Sequence, residues 1–431
     1  MNKLPSVKSA FSRHVMWNLL GQAAPIIAAF VSIPILIAEI GTDKFGMITI
    51  AWMLIGYFSL FDFGIGRALT QLVSKRRAQQ DSSESSLSLI WTGNFLMLGL
   101  GLIAALLLAL LCHTIIYQWL NIPETLRADA ANGLMMIVPA IPLTVFATGA
   151  RGVLEAYQEF KAINLLRVPL GVLMFAAPVM VLPFSHSLEM IFLALTFTRL
   201  LTALAFLWLC ARKISNFWQI SFAWREVPVL LGFGGWMTVS NVISPIMVQM
   251  DRFFIGAMLS ISAVAYYTTP YEVMIKMLVV PAAIAGVAFP NFALLHSSQQ
   301  WGAIRSTYKK SLLYTSLLAL PVAVALIGAP FILELWLNPT FSQQSTVVMQ
   351  ILAVGVFVNG LAHIPYAFIQ GIGQPQITAA LHIIELVIYV PLLVVLIQQW
   401  GINGAAWAWL IRVTIDAAAL FYISHKKMAF S

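Results

Sequence analysis

The chain has 431 residues, of which 60% are hydrophobic and 9% charged, with a formal charge of +8. In soluble domains about a quarter of residues are charged, so this composition excludes a soluble globular fold and makes lipid the natural solvent. Nucleic-acid binding, the usual meaning of a basic surplus, needs cations gathered on one soluble face, and here they are scattered between apolar runs.

Lys3, Lys8 and Arg13 lead into the first apolar run with no small-residue cleavage pattern behind it. That run therefore reads as a retained helix and not as a removed signal peptide. A spanning helix needs about 20 mostly apolar residues. Such runs follow at 15–39, 45–73, 87–117, 129–150, 162–183, 187–211, 228–258, 262–290, 310–336, 345–370, 376–398 and 402–424. They predict an all-α integral membrane protein of about twelve transmembrane helices, with no loop long enough for a soluble domain. Prolines recur inside the runs, among them Pro25, Pro34, Pro142, Pro178, Pro245, Pro281, Pro321 and Pro391. Each removes a backbone hydrogen bond and bends its helix. Cys112 and Cys210 fall in apolar runs far apart and read as inert helix residues, neither a disulfide nor a metal pair. No metal or other cofactor is expected.

Orientation follows from lysine and arginine. With a cytoplasmic N-terminus, 17 of these residues fall on the cytoplasmic side and only Lys44 and Arg127 on the other. One missed helix would scramble that split. Both termini are therefore expected in the cytoplasm.

The runs divide six and six, at 1–215 and 216–431. WNLLGQAAPII followed by IPILIAEIGTDKFGMI opens the first half. REVPVLLGFGGWM, NVISPIM and DRFFIGAMLSISAVAYY open the second, with Pro25 and Pro245 in matching places. Repeated halves around a central cavity are a common transporter plan, in which one half rocks against the other.

Ionisable groups inside a membrane are expensive and mark function by default. The cations within the runs are Arg67, Arg199, Arg252, Lys276 and Arg412; the acids are Asp62, Asp251, Glu272, Glu385 and Asp416. Glu272 with Lys276, and Arg412 with Asp416, are four apart and could be self-contained bridges. Arg252 follows Asp251 directly, but adjacent helix residues point about 100° apart and need not pair. Arg199 has no acid within a turn or two, so it needs an acid on another helix, a wet cavity or an anionic ligand. Guanidinium suits phosphate, because its planar fork donates two parallel hydrogen bonds. The acids concentrate in the second half, where a buried carboxylate can carry a proton or bind Na⁺. His382 and Glu385, three apart, could form part of a relay or simply pack. Arg67 can extend toward the interface beside Lys75, Arg76 and Arg77. Asp62 cannot, so it is expected to face inward, with Gly64 and Gly66 allowing close helix contact beside it.

SLFDFGIGRAL (59–69), DRFFIGAMLSISAVAYY (251–267) and YEVMIKMLVVPAAIAGVAFP (271–290) resemble the bacterial polysaccharide-unit exporters, the Wzx-type O-antigen flippases of the multidrug/oligosaccharidyl-lipid/polysaccharide superfamily. The likeness covers essentially the whole chain, although its motifs are loose apolar patterns. It implies a V-shaped, MATE-like pair of six-helix bundles in the inner membrane. The implied substrate is an oligosaccharide on undecaprenyl pyrophosphate, turned from the cytoplasmic to the periplasmic leaflet by alternating access. A proton or Na⁺ gradient is the implied drive, and a polysaccharide polymerase and chain-length proteins are the implied partners. No catalytic residue is implied. The substrate needs cationic sites, for which Arg199, Arg252, Lys276 and Arg412 are the candidates; Asp62, Asp251, Glu272, Glu385 and Asp416 are the candidate cavity or coupling acids. The lipid II flippase branch carries an arginine–aspartate motif in its first span, whereas WNLLGQAAP has no charge. Competing readings are a multidrug or cation antiporter of the same superfamily and, less favoured, an O-antigen ligase or polymerase. The outward loop around YQWLNIPETLRADA (117–130) is too short for the last.

Overall fold

The computed structural model describes residues 7–58, 64–79 and 83–429, and every regular element among them is a helix. In hydrocarbon each backbone N–H and C=O must be satisfied within the segment, and a helix does this for any apolar run. In chain order the helices are α1 (Val7–Phe58), α2 (Ile65–Ala78), α3 (Ser83–Thr114), α4 (Glu124–Ile137), α5 (Ala140–Ala156), α6 (Phe160–Val181), α7 (Leu188–Lys213), α8 (Val227–Met258), α9 (Ile261–Lys276), α10 (Val279–Ser297), α11 (Trp301–Ser316), α12 (Ala319–Trp336), α13 (Pro339–Gly371) and α14 (Pro375–Ala429).

Among the described residues, nine helical stretches are long and apolar enough to cross a bilayer; the molecule is a multi-pass membrane protein. Two helices, α1 with 52 residues and α14 with 55, are each more than twice as long as a hydrocarbon core of about 30 Å requires at 1.5 Å per residue. Each turns at a glycine, Gly41 (φ 77°) in α1 and Gly401 (φ 57°) in α14, where a side chain would strain the backbone. These bends fall in the gaps expected between 39 and 45 and between 398 and 402. Twelve crossings remain the proposed topology.

Several expected runs are each two helices. Over 129–150 the break comes at Val138–Pro139, over 262–290 at Met277–Leu278, and over 310–336 at Leu317–Leu318. The cause is common to all three. Pro142, Pro281 and Pro321 each stand third in the restarted helix. A proline there lacks the N–H that would bond the carbonyl four residues back, and in a first turn that N–H has no helical partner to lose. The chain tightens to bonds three residues apart instead, as in Ile141 N–H to Val138 O (3.3 Å) and Leu320 N–H to Leu317 O (3.1 Å). The run expected as one helix over 45–73 is also broken. α1 ends at Phe58 and α2 begins behind Gly64, which is left-handed at φ 73°. Asp62 lies outside the described residues.

The chain forms two compact units, Met1–Pro245 and Ile246–Ser431. In the first, α5 is the central helix and packs on α2, α3 and α7. Its small residues allow this: a Cβ on Gly152 would stand 2.5 Å from the Gly66 carbonyl, and Thr70 Oγ1 donates to Gly152 O at 2.9 Å. At one end of this unit Lys44 Nζ meets Asp129 at 3.1 Å and donates to His186 O at 2.8 Å. At the other end Arg76 pairs with the buried Glu226 at 2.6 Å, and Lys213 with Glu159 at 2.9 Å. The second unit is built around α13, which packs on α9, α10, α12 and α14. Gly355 lies flat against Trp409, so a Cβ there would overlap the indole.

Candidate functional site

In the second unit the charges expected within the membrane are carried by α8, α9 and α14. Asp251 and Arg252 are 1% and 3% exposed, and they are satisfied in different directions, as neighbours about 100° apart on a helix must be. Asp251 Oδ2 accepts from the Tyr267 hydroxyl at 2.6 Å, and Oδ1 accepts from the Arg252 backbone N–H at 2.8 Å. The Arg252 guanidinium turns to α9, donating from Nη2 to Glu272 Oε1 at 2.5 Å and lying 5.4 Å over the Tyr271 ring. Lys276 meets the other Glu272 oxygen at 3.5 Å. The Glu272–Lys276 bridge that the spacing allowed is present, but it is the longer and more exposed of the two contacts Glu272 makes.

The second cluster belongs to α14. Arg412 Nη1 stands 3.6 Å from Glu385 Oε2, and its guanidinium lies 5.3 Å over the Tyr389 ring. The Asp416 side chain adjoins Glu385. Arg412 and Asp416, four apart, suggested a bridge along one helix face; the ion pair that forms joins Arg412 to the other arm of α14 instead. The Gly401 bend explains this, since it lays 402–424 back along 376–398. His382 stacks on Tyr366 with ring centroids 6.1 Å apart.

Aromatic side chains join the two clusters: Tyr267 stacks on Tyr271 at 5.9 Å, and Tyr271 meets Trp409 edge-on at 5.9 Å. The Tyr271 and Tyr389 hydroxyls and the Arg252 and Arg412 Nε atoms are buried with no hydrogen-bond partner. None of these aromatics stood out in the sequence. The available signal was helical spacing, Tyr389 one turn after Glu385 and Tyr267 one turn before Tyr271. With every group ionised, Arg252, Lys276 and Arg412 are outnumbered by Asp251, Glu272, Glu385 and Asp416, so one further monovalent cation, a proton included, would neutralise the set.

The first unit is different. Arg199 on α7 donates from Nη2 to the Met174 thioether on α6 at 2.9 Å, and its Nε is buried without a partner. Among the described residues no carboxylate faces it. A thioether is a weak acceptor, so most of this guanidinium's hydrogen-bonding capacity is unused. Arg67 is exposed on α2.

The profile of a family described as polysaccharide biosynthesis protein matches residues 40–341. A Shigella flexneri protein provisionally named as an O-antigen transporter is 31% identical over 415 residues, 95% of this chain and 97% of that one. Among solved structures, the fold is similar to the inward-facing conformation of a multidrug resistance MATE family transporter of the MOP superfamily. The TM-score is 0.80 at 14% identity, covering 95% of this chain and 98% of that one. It is also similar to the lipid II flippase MurJ in its inward closed conformation, with TM-score 0.78 at 13% identity, covering 95% and 87%. At these identities the structural likeness is one of fold: the chain has the MATE-like all-helical architecture.

Proposed function

The chain belongs to the polysaccharide biosynthesis protein family, and from that membership we propose that it turns oligosaccharide repeat units linked to undecaprenyl pyrophosphate, of the O-antigen class, from the cytoplasmic to the periplasmic leaflet of a bacterial inner membrane. Whole-length similarity to a provisionally named O-antigen transporter supports the substrate class. The observation that carries the site is the contrast between arginines. Arg252 and Arg412 are each engaged by a carboxylate, whereas among the described residues Arg199 has only the Met174 thioether. Arg199 is therefore the group most open to a pyrophosphate. Arg252, Lys276 and Arg412 take a share only as Glu272 and Glu385 release them. The surplus acid of the second unit is the proposed seat of coupling to a proton or Na⁺, with Asp62 a further candidate acid from the sequence. Both termini are proposed to be cytoplasmic, and a polymerase and chain-length proteins the partners that receive the flipped unit.

The test is Arg199→Ala beside Arg199→Lys in cells that depend on this protein for surface polysaccharide. With membrane protein level unchanged, Arg199→Ala should abolish surface polysaccharide and Arg199→Lys should retain part of it. Normal polysaccharide from Arg199→Ala would remove the residue from the site. The antiporter alternative rests on the acid surplus alone; export of cationic drugs by the purified protein, with no flipping of lipid-linked sugar, would favour it.

A further inference from the structure

Residues 214–226, between α7 and α8, carry a pattern that transport does not explain. Trp218, Ile220, Phe222 and Trp224 alternate along an irregular segment and are 62%, 56%, 42% and 77% exposed. They lie outside the membrane-crossing stretches, so burial of a span in lipid does not account for them. The segment is not loose. Trp91 Nε1 donates to Phe217 O at 2.7 Å, the Ala223 N–H donates to Thr92 Oγ1 at 3.0 Å, and Glu226 is held by Arg76. Its backbone is thus fastened to the first unit while its apolar side chains are held outward.

Two observations name what they face. First, Phe222 packs edge-on against Phe95 at 6.3 Å. Phe95 heads an exposed apolar stripe on α3 that continues through Leu102, Ile103, Leu106 and Leu110, so the segment prolongs a lipid-facing surface at its end. Second, exposed Arg212, Lys213 and Arg225 flank it, and Arg212 lies 5.3 Å over the exposed Trp208 ring. Tryptophan concentrates where acyl chains meet headgroups, and juxtamembrane cations are drawn to anionic lipid.

We propose that residues 218–224 are a strap seated in the headgroup–acyl boundary at the basic face, with Trp218, Ile220, Phe222 and Trp224 dipped into a leaflet containing anionic phospholipid. The segment joining α7 to α8 is then anchored to the rest of the first unit and to the bilayer together. This does not depend on what the protein transports.

Single cysteines at each position from 218 to 224, in a Cys112→Ala/Cys210→Ala background of the full chain, can carry a nitroxide label in phosphatidylcholine vesicles with and without phosphatidylglycerol. Labels at 218, 220, 222 and 224 should collide freely with oxygen and lose most of their collisions with a water-soluble nickel chelate; labels at 219 and 221 should show the reverse. Adding phosphatidylglycerol should shift the even-numbered labels deeper. Chelate access at every position would place the strap in water, and shielding from both reagents would mean a protein surface covers it; either result overturns the proposal. A depth indifferent to phosphatidylglycerol would overturn its anionic-lipid part.

Discussion

Glu272 holds two cations of unequal need. The Arg252 guanidinium, with a side chain 4% exposed, makes its ion pair here at 2.5 Å, whereas Lys276 is 46% exposed at 3.5 Å. Stranding a buried charge costs about 3–5 kcal/mol; an exposed pair is worth about 0–1 kcal/mol. Glu272→Gln should therefore lower the melting temperature of the purified protein sharply, Lys276→Gln should barely move it, and Arg252→Gln added to Glu272→Gln should recover part of the loss. An equal loss from Lys276→Gln would show that the buried contact is not the important one. Which charges interrupt apolar runs was legible in the sequence. Their partners were not. Spacing along one helix pointed Arg412 to Asp416, while the pair that forms crosses a bend to Glu385. Tyr267, Tyr271 and Tyr389 were missed because a tyrosine in an apolar run reads as one more hydrophobe until a carboxylate or guanidinium is found beside it.

At the scale of elements, helix breaks follow rules that a sequence reader can use in part. Pro142, Pro281 and Pro321 restart helices by one mechanism, yet Pro25, Pro34 and Pro391 sit inside helices that continue. A proline marks a lost bond, and packing decides whether the chain turns there. The Gly401 bend has no such ambiguity. It holds φ 57° and ψ −135°, and an added Cβ would meet only Leu259 Cδ1 at 3.8 Å. Space is therefore not limiting, and Gly401→Ala should cost the backbone strain alone, about 1–3 kcal/mol. Gly404→Ala should cost more, since its Cβ would overlap the Leu396 carbonyl of the arm before the bend. Gly286→Ala, with open space around it, is the control and should leave thermal stability within about 0.5 kcal/mol. If Gly401→Ala matched that control, the bend would not be what brings Arg412 to Glu385.

Over the whole molecule, the proposed duplication and topology rest on different observations. The most buried crossing stretches are Glu124–Ala156 at 61% and Pro339–Gly371 at 56%, against 33% or less elsewhere. These are the fourth expected span of each half, which supports an ancestral repeat more directly than the faint sequence match around Pro25 and Pro245. The contact boundary between Pro245 and Ile246 falls later than 215/216, because Trp91, Thr92 and Arg76 hold residues 217–226 to the first unit. Topology rests on charge: insertion is decided by where lysine and arginine stand, and only Lys44 and Arg127 stand against 17 on the other side. In the fold those two are drawn into pairs, Lys44 with Asp129 and Arg127 with Glu124, at the end of the first unit opposite Arg76 and Lys213. Reporter fusions at residues 80, 155, 218, 300 and 373 should therefore read cytoplasm, and those at 42, 122, 186, 260, 341 and 400 periplasm. The fusions at 42 and 400 carry the most weight, because each interrogates a glycine bend within a single long helix. Were both to read cytoplasm, the long arms of α1 and α14 would not cross in pairs, and the twelve-crossing topology would fall.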